Sequence, residues 1–112
     1  MNFEPGTVVL LPFPFSDLQS EKRRPVLLLS APDGFGDFVG IALTSRGHHP
    51  NSVLLGSEDF VGVPLPKQTW ARADKVFSLS VKRVTKQVAR LNAEAVQRVR
   101  ESLCQHVGHR EG

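Results

Sequence analysis

Residues 7–29 read TVVLLPFPFSDLQSEKRRPVLLL and contain the two apolar runs that decide the fold. The first run, residues 7–11, is rich in β-branched and aliphatic side chains and predicts a strand. The two prolines within Pro12–Phe15 cannot donate backbone hydrogen bonds to a sheet, so they end this strand in a rigid loop. The chain is therefore expected to open with a short strand and a stiff connection.

The second run, Pro25–Leu29, follows the mainly polar residues 16–22 and is apolar at every position. An uninterrupted apolar run of this length predicts a strand that is buried on both faces. Arg23 and Arg24 come directly before it. Both arginines are therefore expected at the entrance of this strand.

Three more segments continue the strand pattern, with glycine, proline or asparagine close to their ends. They are Phe38–Thr44, Val53–Leu55 and Trp70–Phe77. Because side chains alternate along a strand, Arg72 and Asp74 in the last segment should lie on one face, about 7 Å apart. Residues 62–66 contain two prolines and are expected to form a loop.

The segment that precedes the C-terminal helix fits two structures. Its apolar residues recur at helical spacing, at Val81, Val84, Val88 and Leu91. Residues 85–91 also fit a half-exposed strand. Periodicity alone favours the helix.

Asn92 begins a segment that predicts a helix up to Gly108. The Asn92 side chain can cap the first turn, and Glu94 suits the positive end of the helix dipole. The apolar stripe of this helix consists of Val96, Val99 and Leu103. Arg98 and Arg100 lie off the stripe and are interpreted as ordinary solubilising charge.

These elements predict one domain, residues 1–112, that is mainly β with a C-terminal helix and forms a small antiparallel barrel or sandwich. Hydrophobic residues make up 40% of the chain and charged residues 22%, which suits a globular core and not a disordered chain. No apolar run approaches the roughly 18 residues of a membrane span, and the first residues lack the pattern of a signal peptide. A cytoplasmic protein without a membrane partner is expected. The single Cys104 excludes an internal disulfide and is interpreted as a small apolar filler.

Charge is distributed unevenly along the chain. Residues 1–66 carry 4 basic and 7 acidic groups, net −3, whereas residues 67–112 carry 10 basic and 4 acidic groups, net +6. Such asymmetry suggests an anionic partner, of which nucleic acid is the commonest, and it fits a solvated basic face equally well.

Sequence motifs exclude several kinds of chemistry. Neither Gly-x-Gly-x-x-Gly nor a Walker lysine motif is present, which argues against nucleotide-driven reactions, and no Gly-x-Ser-x-Gly elbow supports acyl transfer. His48 and His49 are adjacent and would point to opposite faces of a strand. No metal site and no cofactor are therefore expected.

Polar residues at the ends of the predicted strands remain as candidates for chemistry. Arg24 opens one strand, Thr44 and Ser45 close the next, and Arg72 and Asp74 lie on a third. Metal-free RNA cleavage requires a base for the 2′-OH proton, donors for the charge on the phosphorane, and an acid for the leaving oxygen. These residue types suffice for that reaction, although composition alone favours a same-strand ion pair without catalytic role for the last two.

A series of segments adds a family resemblance that covers nearly the whole chain. Residues 6–18 and 22–30 read GTVVLLPFPFSDL and KRRPVLLLS, residues 43–45 read LTS, and residues 71–75 read ARADK. In this order they resemble the motifs of the MazF/PemK family of toxins from toxin–antitoxin modules. The segment 84–91 with the helix after it also resembles that family, in which it is a strand.

The resemblance implies an SH3-like barrel that forms a homodimer, binds a separate antitoxin and cuts single-stranded RNA, often messenger RNA, without metal. The products would be a 2′,3′-cyclic phosphate and a 5′-OH. By matching position, Arg24 and Thr44 would stabilise the scissile phosphate, Asp74 would act as base, and Arg72 would stabilise the phosphate or donate a proton. Further contacts with RNA are expected from Arg23, Ser45, Arg46 and His48.

Two departures from the family pattern leave the general base open. Thr7 replaces a frequent aspartate, and residues 16–22 contain no histidine where some members place a catalytic one. His48 and His49 are alternatives to Asp74 as the base. The same barrel also resembles gyrase-poisoning CcdB-type toxins, and an inactive RNA-binding homologue is a third reading.

Two aromatic side chains have alternative interpretations. Trp70 and Phe60 could stack on RNA bases. The core is the favoured interpretation for both, because the chain has only 7 Phe and 1 Trp to fill a barrel.

Overall fold

A computed structural model describes residues 2–12, 23–47 and 49–108. These residues form six antiparallel strands and a C-terminal α-helix. The strands and the helix are β1 (Thr7–Pro12), β2 (Arg23–Leu28), β3 (Asp37–Thr44), β4 (Ser52–Leu55), β5 (Thr69–Ser80), β6 (Lys86–Arg90) and α1 (Ala93–His106). Single 3₁₀ turns at Ser57–Asp59 and Val81–Arg83 flank β5. The strand order is β4-β5-β3-β2-β1-β6, a half-barrel with one terminal helix, which confirms the predicted mainly β fold of the small-barrel type.

The sheet carries an apolar cluster on each face, because successive residues of its central strands are both buried. On β1, Val8 packs in one cluster and Val9 in the other, and neither side chain is exposed. The first cluster lies under α1 and includes Val96 and Val99. The second is built around Phe38. The expectation that β2 is buried on both faces is thereby confirmed.

The segment before α1 is a strand. β6 pairs with β1, from Thr7 opposite Arg90 to Leu10 opposite Lys86. The helix that periodicity favoured is therefore wrong, and the strand that the family resemblance implied is confirmed. The physical reason is non-local: the backbone groups along this edge of β1 need hydrogen-bond partners, and β6 supplies them.

Helix α1 begins at the predicted cap. The Asn92 side chain accepts a hydrogen bond from the Ala95 backbone N–H at 2.8 Å. The interpretation of Arg98 and Arg100 as solubilising charge is wrong, because both side chains attach the helix to the sheet. Arg100 donates to the Leu29 carbonyl at 2.7 Å, and Arg98 binds the Asp59 carboxylate.

The exposure of Cys104 differs from the expectation. Cys104 lies on α1 as expected, but it is exposed, so its interpretation as an apolar filler is wrong.

Residues 61–68 contain neither helix nor strand, in agreement with the predicted loop. Among the described residues, no helix has the length and apolar character needed to cross a membrane.

Candidate active site

A cleft of about 710 Å³ opens at the end of the sheet where β2 begins and β3 ends. Six cationic side chains contribute to its walls: Arg23, Arg24, Arg46, Lys67, Arg72 and Lys75. No acidic residue is among the described residues that line it. A cleft of this charge attracts anions and raises their local concentration.

Antiparallel pairing brings Arg24 and Thr44 to the same end of the sheet. Val26 pairs with Ala42, and two residues further towards the end lie Arg24 on β2 and Thr44 on β3. Both residues line the cleft. A guanidinium group and a hydroxyl group are thus presented to the same space by neighbouring strands.

The turn after β3 determines how the Thr44 hydroxyl can act. Its Oγ1 accepts a hydrogen bond from the Arg46 backbone N–H at 3.1 Å. With one lone pair used in this way, the hydroxyl keeps its proton for donation to a ligand oxygen. Ser45 and Arg46 follow in the turn, are exposed and also line the cleft.

An irregularity in β5 shapes the opposite wall. Leu43 pairs with Ala71 and Ile41 with Val76, so a two-residue step on β3 corresponds to five residues on β5. Such a bulge bends the strand and redirects its side chains. Arg72 and Lys75 both line the cleft, although simple alternation places them on opposite faces.

Arg72 is held by Asp74 through two hydrogen bonds, as side-chain alternation predicted. Arg72 Nε donates to Asp74 Oδ1 at 3.0 Å, and Nη2 donates to Oδ2 at 2.6 Å. The two side chains are 20% and 25% exposed. A bidentate pair of this kind fixes the plane of the guanidinium group.

The ion pair also determines the protonation state of Asp74. Hydrogen bonds from Arg72 lower the pKa of the Asp74 carboxyl, with a further contribution from the positive charge of Arg72, while partial burial acts in the opposite direction. Asp74 is therefore ionised at neutral pH. It does not line the cationic cleft but a neighbouring, mainly apolar pocket of about 460 Å³ between β5 and the end of α1.

The structure brings most of the predicted site residues together. Arg23, Arg24, Thr44, Ser45, Arg46 and Arg72 line one cleft. Asp74 reaches it only through Arg72, and His48 lies outside the described residues. His49, the alternative base, does line the cleft.

Several lining residues were missed by the sequence analysis. Lys67 belongs to no motif, Lys75 ends the ARADK segment but was given no role, and Leu65 and Pro66 come from the loop before β5. A lysine close to a proline-rich loop was a weak signal for Lys67. The motif did not indicate that Lys75 would face the cleft, because only the bulge in β5 turns its side chain there. In the described ranges, no three His, Cys, Asp or Glu side chains come together as a metal site.

The family model described as "PemK-like, MazF-like toxin of type II toxin-antitoxin system" matches residues 4–107. The chain belongs to this toxin family. Comparison with curated proteins finds no sequence match. The resemblance stated from the motifs is thus confirmed over almost the whole chain.

Solved structures share the fold of this MazF-like toxin over nearly its full length. A MazE–MazF complex from Deinococcus radiodurans is 26% identical with a TM-score of 0.72, and the match covers 96% of this chain and 97% of that chain. MazF alone from the same organism is also 26% identical with a TM-score of 0.72, and the match covers 95% of this chain and 96% of that chain. An endoribonuclease in complex with its cognate antitoxin, from a mycobacterial species, is 18% identical with a TM-score of 0.75. That match covers 97% of this chain and 98% of that chain, and the likeness concerns the fold alone. The comparisons give no support to the gyrase-binding alternative.

Proposed function

We propose that this MazF-like toxin is an endoribonuclease that cuts single-stranded RNA, messenger RNA in particular, without a metal ion. The observation that carries the proposal is the convergence of Arg24, Thr44 and Arg72 on one cationic cleft that has no acidic residue among its described lining. RNA is a polyanion, and proteins bind its single strands in positively charged grooves. A cytoplasmic location, where messenger RNA is translated, is part of the proposal.

The proposed reaction is an internal transphosphorylation. The 2′-oxygen of the ribose attacks the adjacent phosphorus after losing its proton to a base. A bond from the 2′-oxygen to phosphorus forms, the bond from phosphorus to the 5′-oxygen breaks, and the leaving oxygen takes up the proton that the base has received. A 2′,3′-cyclic phosphate and a 5′-OH remain, so no water enters this step.

Three side chains have roles in charge stabilisation. The guanidinium groups of Arg24 and Arg72 bind non-bridging phosphate oxygens, on which negative charge increases in the phosphorane. The Thr44 hydroxyl donates a hydrogen bond to one of these oxygens, while its own oxygen accepts one from the Arg46 N–H. Arg23, Ser45 and Arg46 contact neighbouring parts of the RNA.

The base is assigned to Asp74. Arg72 keeps this carboxylate ionised, so it is in its proton-accepting form at neutral pH. Its Oδ2 lies 2.6 Å from Arg72 Nη2, one side chain away from the proposed phosphate. His49 is the second candidate because it lines the cleft itself.

A cognate antitoxin and a second copy of the chain are the proposed protein partners. Support for the antitoxin comes from similar proteins solved as MazE–MazF or as an endoribonuclease with its antitoxin. The homodimer rests on the family resemblance. An acidic antitoxin segment would be attracted to the same cationic cleft and would compete with RNA.

One assay tests the proposed activity. Purified protein is incubated with a long single-stranded RNA in EDTA, and the 5′ ends of the fragments are mapped. We expect cleavage at a short recurrent sequence with 5′-OH ends, and no cleavage by Arg24→Ala. Thr44→Val should lower the rate by about 10²- to 10³-fold, as for loss of one donor to a developing oxyanion, whereas Thr44→Ser keeps most of it.

Arg83→Ala is the matched control, because Arg83 is exposed on the 3₁₀ turn after β5 and does not line the cleft. Its rate should equal that of the wild type. Intact RNA with the wild type overturns the proposal. Trapped gyrase–DNA complexes would then indicate the CcdB-type activity, and RNA binding without cleavage would indicate an inactive homologue.

A further inference from the structure

The indole of Trp70 packs directly against the backbone of Gly47. A Cβ atom at position 47 would lie 2.6 Å from Cε2 of Trp70 and closer still to Cζ2. These distances are far below carbon–carbon contact, which lies near 3.5–4.0 Å. Any side chain at position 47 would therefore displace either the ring or the turn.

Close approach, and not backbone conformation, is the reason for glycine here. The glycines with positive φ in the described residues are Gly6, Gly36, Gly62 and Gly108. Gly47 is not one of them, so its φ is accessible to other residues. An alanine does not fit at this position, because its methyl group would overlap the Trp70 ring.

Trp70 lies beside two of the three groups that are proposed to bind the scissile phosphate, Thr44 and Arg72. It pairs with Thr44 across β3 and β5, and directly opposed residues in an antiparallel pair have Cβ atoms about 5 Å apart on the same face. Arg72 is two residues further along β5 and therefore shares that face. Trp70 also pairs with Leu54 on β4, so its backbone is held from both sides.

We propose that Trp70 is a positioning residue of this site: its ring supports the turn Thr44–Gly47 and does not stack on RNA bases. The inference rests on the proposed ribonuclease function. Trp70 is half-buried and does not line the cleft, because Gly47 covers part of its ring. Contact with the ring fixes the position of the turn. The position of the Thr44 hydroxyl is fixed with it, because its oxygen accepts a hydrogen bond from the Arg46 N–H of the same turn.

Gly47→Ala is the first test. The added methyl group pushes the turn off the ring, and a misplacement of about 1 Å can cost about a hundredfold in rate. We expect a loss of that order in the single-turnover cleavage rate, with the Kd for a fully 2′-O-methylated RNA, which cannot be cut, unchanged within about twofold. Gly34→Ala is the control, because nothing lies within 4 Å of a Cβ at Gly34.

Trp70→Phe makes the test independent of folding defects. Phenylalanine lacks the outer indole atoms that the methyl group would meet, so Gly47→Ala should cost no more than about twofold in the Trp70→Phe background. A hundredfold loss in both backgrounds contradicts the contact. If Trp70→Phe weakens binding of the methylated RNA by about tenfold or more, as expected when a stacked base worth about 1–3 kcal/mol is lost, Trp70 is a stacking platform and the inference is wrong.

Fluorescence separates this inference from the proposed function. The chain has one tryptophan and no tyrosine, so its emission reports on this ring alone. Iodide should quench Gly47→Ala more than the wild type and leave Gly34→Ala unchanged. Equal quenching of all three proteins, with cleavage intact in the wild type, overturns the positioning role only, whereas a wild type that cuts no RNA overturns the proposed function.

Discussion

At the scale of single residues, the Arg72–Asp74 pair is the feature on which the proposed chemistry depends most. Two residues on one strand face form a bidentate contact, and this contact lowers the pKa of Asp74. A carboxylate in that state accepts protons over a wide pH range, although weakly. The same contact presents the Arg72 guanidinium to the cleft in one orientation.

The pH dependence of cleavage identifies the base. With Asp74 as base, the rate should not fall as the pH is lowered from about 8 to 5, because the pKa of the Asp74 carboxyl is lowered from its ordinary value, about 3.9 for a free aspartate, and the acceptor form persists throughout this range. Asp74→Asn keeps the size of the side chain and removes the charge, and it should strongly reduce the rate at every pH. Single-turnover rates measured across this range give the profile.

A histidine base would give a different profile. The rate would decline as the pH is lowered across the same range, because a protonated imidazole cannot accept a proton. Such a decline, together with its disappearance in His49→Asn, would assign the base to the loop histidine and contradict the role of Asp74.

At the scale of elements, α1 is attached to the sheet by its arginines as well as by its apolar stripe. Arg98 donates to Asp59 Oδ2 at 2.8 Å and to the Leu54 carbonyl at 3.2 Å. Asp59 is 7% exposed and has one other donor among its described contacts, the Gly56 N–H at 2.8 Å. The helix, the end of β4 and the following turn are thereby joined at one carboxylate.

Arg98→Ala should destabilise the protein by about 1–3 kcal/mol, because it leaves the buried Asp59 carboxylate without its main partner. Hydrogen bonds from Arg98 lower the pKa of Asp59. The stabilisation is therefore fully present above the unfolded pKa, about 4, and is lost as the pH falls below that value through the lowered pKa. Urea unfolding at neutral and at acid pH measures both effects.

Gln97→Ala is the matched control on the same helix. Gln97 is exposed, and its side chain donates a 3.4 Å hydrogen bond to Glu101 within the helix. Its substitution should change the free energy of unfolding by less than about 0.5 kcal/mol. Equal effects of Arg98→Ala and Gln97→Ala would show that the arginine does not attach the helix.

At the scale of the whole molecule, the fold redistributes charge that the sequence keeps apart. The cleft takes Arg23, Arg24 and Arg46 from the half with net −3, and Lys67, Arg72 and Lys75 from the half with net +6. The described carboxylates of the first half line other surfaces. The anionic partner suggested by the linear asymmetry is thus expected at a site that both halves build.

Binding of single-stranded RNA should depend on salt through these cations. Each lost phosphate contact reduces the slope of log affinity against log salt concentration by about 0.7. Lys67→Ala and Lys75→Ala should each lower the slope by about that amount, measured with 2′-O-methylated RNA, while Lys82→Ala, an exposed lysine outside the cleft, should not. A slope that is the same in all three variants would place the RNA elsewhere.

The sequence by itself determined the features that depend on neighbouring residues. The apolar run of β2 predicted a strand buried on both faces, Asn92 predicted the start of α1, and alternation predicted the Arg72–Asp74 pair. Backbone torsion preferences, capping and side-chain alternation act over a few residues, so a short stretch of sequence carries them. The family motifs, which occur in the expected order, added the prediction of a barrel.

The features that join distant residues depend on how the chain folds in three dimensions. β6 became a strand because β1 lies beside it, Arg98 became an anchor because Asp59 lies opposite, and Gly47 meets Trp70 across two strands. Lys75 entered the cleft because β5 bends there. These contacts arise when the sheet closes and brings together side chains that are far apart in the chain, and local torsion preferences contain no information about such distances.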